Sequence, residues 1–144
     1  MLKYLKSRRK KGRKIEWSDA PDISKRVRAL VKLLKIDWID TDQIYCFRSV
    51  DANTRAYARI WGLARIWQRV LKVKPAYIIE VISEKFDSAS EPDKDKIILH
   101  ELTHIPKNFS GSLVPHFRNR RNKRPSFEDK VHDLVSQYLK NKGL

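Results

Sequence analysis

The sequence predicts an α+β domain in which a short, mostly antiparallel sheet packs against three helices: one near the N-terminus, one carrying a His-Glu-x-x-His pattern, and one at the C-terminus. Three observations predict it. Val27, Leu30, Val31 and Leu34 recur at helical spacing. The β-branched run from Tyr77 to Ile82 is short and bounded by Pro75 and by Ser83-Glu84, as a buried strand should be. The apolar Ile97-Ile98-Leu99 leads into His100-Glu101-Leu102-Thr103-His104 and stops at Pro106.

Taken in order, residues 1–21 read as a basic arm ending in a turn near Ala20-Pro21-Asp22, with Trp17 anchoring its end, and residues 22–144 as the folded domain. A helix is expected over 22–36, capped by Asp22 or Ser24. Residues 43–49 alternate as a strand. Asp51-Ala52-Asn53-Thr54 is a turn, and residues 55–61 would return as the second strand of a hairpin. A short helix is expected over 63–71. Ser90, with Asp93 three residues on, resembles a capping box. The helix it starts would bury Ile98, Leu102 and Ile105 until Pro106 ends it. A loop over 107–124 precedes a last helix over 126–140, with Phe127, Val131, Leu134 and Leu139 as core positions. Cys46, Trp38, Trp61 and Trp67 read as core residues, the tryptophans not as base-stacking platforms.

The chain has 144 residues and a hydrophobic fraction of 41%, enough for one domain with a real core. Its single cysteine excludes an internal disulfide or a cysteine-built zinc cage and fits the cytoplasm. No apolar run reaches the length of a membrane span, and no secretory signal follows the basic N-terminus. The net charge is +15, yet it is local. Lys3, Lys6, Arg8, Arg9, Lys10, Lys11, Arg13 and Lys14 form one acid-free tract, and Arg118, Arg120, Arg121, Lys123 and Arg124 a second. Without them the chain carries 19 basic and 17 acidic residues, a net of +2. Such tracts attract nucleic acid or an anionic membrane surface; otherwise they are a solvated tail and loop. A basic nucleic-acid-binding protein with a structural or vestigial metal site is therefore the alternative to an enzyme.

The enzyme reading starts from His100 and His104. One helical turn apart, two imidazoles share a face and can hold one zinc ion, Zn2+. Glu101 projects about 100° round the helix from His100. It should not be a ligand but can act as general base on a metal-bound water. That is the arrangement of a zinc peptidase, with a protein or peptide as substrate. A third ligand must come from elsewhere. His116, across a turn-rich loop containing Gly111, is favoured over Glu128, Asp129 or His132 on the last helix, which also carries Asp133. The strand over 77–84 is the expected sheet edge for an extended substrate. Glu80 within it should pair with Arg59 or Arg65 in a structural role. Tyr77, Tyr138 and Arg118 are open as oxyanion stabilisers.

Taken together, Ile60-Trp61-Gly62-Leu63, the run Tyr77 to Glu84, His100 to Pro106, Phe109-Ser110-Gly111 and His116 resemble the metallopeptidases found in archaea and in phage genomes. The resemblance covers about residues 43–118 and leaves out the basic arm. It implies a small zincin-like domain with His100, His104 and His116 as ligands and Glu101 as base, and it implies no particular substrate.

Overall fold

The computed structural model describes residues 14–116 and 127–143. The basic positions up to Arg13 and those between Arg118 and Arg124 lie outside them, as do the side chains of Phe127, Glu128 and Asp129.

The α+β class holds. Among the described residues four strands, β1 (Glu16–Asp19), β2 (Ile44–Val50), β3 (Ala58–Gly62) and β4 (Tyr77–Ile82), form one mixed sheet in the order β1-β2-β4-β3. The helices are α1 (Pro21–Leu33), α2 (Arg65–Leu71), α3 (Ser83–Phe86), α4 (Glu91–Leu102) and α5 (Phe127–Asn141). The end of the expected arm is thus a strand: β1 pairs antiparallel with β2, Trp17 opposite Ser49.

Strand alternation sorts the sheet into two faces. Ile44 and Cys46 of β2, Tyr77, Ile79 and Val81 of β4, and Ala58 of β3 are buried in one core with Ile23, Val27 and Leu30 of α1 and Ile98, Leu99 and Leu102 of α4. The register puts Tyr45, Ile78 and Trp61 together on the opposite face, and all three are exposed.

The expected hairpin does not form. β3 pairs with β4 and not with β2, and β2 runs parallel to β4 on its other side. The β-branched run of β4 is the segment best suited to burial, so it takes the centre of the sheet and separates the two strands that are near in sequence. The same placement overturns β4 as a substrate edge, because both its edges are already hydrogen-bonded; the terminal strand beside α4 is β3.

Neither Asp22 nor Ser24 caps α1. Its N-cap is Ala20, with no side-chain cap and with Pro21 in the first turn, where a missing N–H costs nothing. The Asp22 carboxylate instead receives Arg48, which also binds Asp87 and so ties α1, β2 and the end of α3. Ser90 caps α4 as expected, its side chain accepting from the Asp93 N–H at 3.3 Å. That helix stops at Leu102, earlier than the sequence suggests. The His104 N–H bonds the Glu101 carbonyl and the Ile105 N–H the Leu102 carbonyl, three-residue steps that tighten the chain ahead of Pro106.

On α5, Tyr138 is buried, and its hydroxyl donates to Asp95 of α4. Arg26 of α1 donates to the same carboxylate at 2.7 Å, so one buried acid joins three helices. Cys46 is buried as expected, and Trp38 packs against the core. Trp61 and Trp67 are not core residues: they are 49% and 57% exposed.

Candidate metal centre

The C-terminal end of α4 carries the site. Helical spacing sets His100 above the turn that holds His104, with ring centroids 5.4 Å apart. His116 arrives from the loop, its ring 5.0 Å from that of His100 and 4.5 Å from that of His104. One ring nitrogen from each of the three falls within 4.8 Å of the others. Nε2 of His100 and Nε2 of His116 are 3.0 Å apart.

The loop is held at several points, which is why a side chain so far along it reaches the helix. The Tyr77 hydroxyl accepts from the Gly111 N–H and donates to the Ser112 carbonyl, each at 2.8 Å. Phe109 packs edge-on against the Tyr77 ring. Gln68 of α2 donates to the Ser110 carbonyl at 2.8 Å. Gly111 has φ +91°, and a Cβ there would come within 2.3 Å of Gln68 Nε2 and of the Leu63 carbonyl oxygen. A Cβ on Gly62 would meet the Gly111 oxygen at 2.2 Å. Both positions need glycine because backbone crosses backbone there.

Val114 makes the last attachment. Its N–H donates to the His104 carbonyl at 2.7 Å, and its own carbonyl accepts from His104 Nδ1 at 2.6 Å. That bond places the proton of a neutral His104 on Nδ1 and leaves the Nε2 lone pair for a ligand role. Burial lowers the His104 pKa and the nearby His116 lowers it further, against the opposing effect of the Val114 carbonyl. The net effect favours the neutral form that binds metals.

Glu101 is buried, and it opens onto the same cleft of about 560 Å³ as His100, His116, Tyr57 and Ala58. Burial pushes its pKa up to about 7. Its side chain makes no hydrogen bond or ion pair with the described residues.

Three imidazoles converging from a helix end and a pinned loop suit a borderline-soft divalent ion such as zinc. The cluster among the described residues has three donors, so a four-coordinate ion held by them would keep one position for water. His132 is exposed on α5 and stands outside the cluster, and Asp133 lines a different cleft. Tyr77 and Tyr138 spend their hydroxyls on the loop and on Asp95, so neither is poised for an oxyanion; Arg118 lies outside the described residues. The sequence reading missed Tyr77, Gln68 and Val114 as positioning groups. The Phe-Ser-Gly step at 109–111 was the one local sign of a sharp crossing.

The sequence matches the family described as "Putative phage metallopeptidase" over residues 15–139. No curated protein and no solved structure matches it.

Proposed function

This chain belongs to the phage metallopeptidase family, and from that premise we propose that it is a zinc-dependent peptidase with His100, His104 and His116 as ligands and Glu101 as general base. The observation that carries the reading is the convergence of three histidine nitrogens within 4.8 Å, beside a buried carboxylate that faces the same cleft. Zinc held there would acidify a water in its open position to a pKa around 7 and polarise a scissile carbonyl.

The chain's own residues do the rest. Glu101 takes a proton from the attacking water and returns it to the leaving amine, and its place on the cleft beside His100 and His116 suits it to both transfers. The Val114 carbonyl fixes the His104 tautomer. An extended substrate would lie along β3, whose Ala58 borders the cleft and whose outer edge pairs with no strand among the described residues.

The test is metal content followed by proteolysis. Purified protein should carry about one zinc per chain. Glu101→Gln should retain that zinc and lose cleavage of an unfolded protein substrate. Protein that takes up no zinc, or a Glu101→Gln variant as active as wild type, would overturn the assignment.

A further inference from the structure

Helix α2 turns its apolar side chains to solvent. From Ala64 to Lys74 every residue except Gln68 is exposed. Ile66 is 71% exposed, Trp67 57%, Val70 66% and Leu71 56%, and Val73 just beyond the helix is 46% exposed. At about 100° per residue, positions 66, 67, 70 and 71 fall within one arc of about 140°. An ordinary surface helix packs such an arc on the core; here it forms an exposed apolar patch, the mark of a docking surface.

The helix is held in this orientation by its polar side. Gln68 donates to the Leu63 and Ser110 carbonyls, each at 2.8 Å. Two other exposed tryptophans have a use within the chain. Trp61 Nε1 and Trp17 Nε1 donate to the Glu80 carboxylate at 2.9 and 3.4 Å, and Arg59 donates to it twice. The Trp67 indole makes no hydrogen bond with the described residues.

Charge decides what kind of partner fits. Arg65 and Arg69 lie across the helix from the apolar arc, Lys72 follows its last residue, and Lys74 comes next. None of the four forms an ion pair with a described residue. No acid occurs from Ala52 to Ile79, nor from Thr103 to His116 in the loop that Gln68 holds. A second copy of the chain would set these cations against their own kind, which disfavours self-association here. An anionic bilayer matches both features, because it offers a negative surface and an apolar interior and needs no complementary groove. Tryptophan and aliphatic residues on one side, with arginine and lysine on the other, suit a helix lying in a lipid surface. Seven residues give about 10 Å of helix, enough to lie in that surface and far too short to cross it.

We propose that α2 docks the domain on an anionic lipid surface. Ile66, Trp67, Val70 and Leu71 enter the headgroup layer, and Arg65, Arg69, Lys72 and Lys74 meet the lipid phosphates. The proposal does not rest on the peptidase reading, since no α2 residue lines the histidine cleft.

The test is flotation of the full chain with vesicles of phosphatidylcholine, with or without about one-third phosphatidylserine, at several salt concentrations. The chain should float with the anionic vesicles and not with the neutral ones, and less so as salt rises. Trp67→Ser combined with Val70→Ser should weaken binding roughly tenfold or more. Arg65→Gln combined with Arg69→Gln should weaken it roughly fivefold per charge and flatten its salt dependence. Both variants should keep the wild-type urea midpoint, because all four side chains are exposed. No binding to anionic vesicles, equal binding to neutral ones, or wild-type binding by the Trp67→Ser, Val70→Ser chain would refute the proposal; the last result would move the contact to another basic stretch.

Discussion

Two carboxylates of this domain are buried to nearly the same degree and behave in opposite ways. Glu80, on the open face of the sheet, is 2% exposed, and Glu101, beside the histidines, 8%. Burial raises the pKa of both. At Glu80, hydrogen bonds from Arg59, Trp61 and Ser49, together with the Arg59 charge, outweigh burial and hold the pKa down to about 2. At Glu101 no described residue offsets burial, and the pKa rises to about 7. Depth alone says little about what a buried acid does; its donors decide. An acid supplied with an arginine and two indoles is a fixed anion that organises its neighbours. An acid deprived of donors and left facing a cleft can exchange a proton.

Substitutions at the two positions should separate those roles. The largest effect is expected for Glu101→Gln, with proteolysis falling roughly 10²- to 10⁴-fold while zinc content and thermal stability stay near wild type. Substantial unfolding of that variant would make Glu101 as structural as Glu80. His116→Ala should come next, lowering zinc affinity in a competition titration with a chromogenic chelator while the fold persists; unchanged affinity would return the third ligand to the acidic helix.

Glu80→Ala should act on stability, costing about 2–3 kcal/mol by urea unfolding because it strands a guanidinium and two indole N–H groups. Acid should reveal the same pairing. The Glu80 pKa is depressed from 4.5 to about 2, so its contribution is present above pH 4.5 and is lost as the pH falls towards 2. The gap in urea midpoint between wild type and Glu80→Gln should narrow from about pH 5 to about pH 3. A constant gap would mean that the Arg59 pairing contributes nothing. The smallest effect belongs to the start of α4: Ser90→Ala should cost about 1 kcal/mol through its lost cap, with no change in zinc binding.

Local patterns carried much of the architecture. The β4 strand, the Ser90 cap, the short helix α2 and the pairing of Glu80 with Arg59 all follow from residues near in sequence or from a lone charge in an apolar strand. Their physics is local: β-branching, side-chain capping, and the cost of burying a charge alone. The hairpin failed as an expectation because turn chemistry at 51–54 cannot report that a more apolar strand, starting at Tyr77, will come between its two arms. The tryptophans misled for a similar reason. Trp61 alternates with Ile60 across a pleat, and only the layering of helices on one side determined which of the two faces water.

From the chain alone came the donor types: two imidazoles a helical turn apart, a carboxylate between them, and a third histidine within reach of a glycine-bearing loop. Their convergence is a tertiary fact. It depends on Tyr77 of β4, Gln68 of α2 and His104 just past α4 holding the loop at Gly111, Ser110 and Val114, and on Gly62 and Gly111 letting two backbones touch. Spacing along a helix is set by covalent geometry and can be read from letters. The approach of segments distant in the sequence is set by packing, which no single segment encodes.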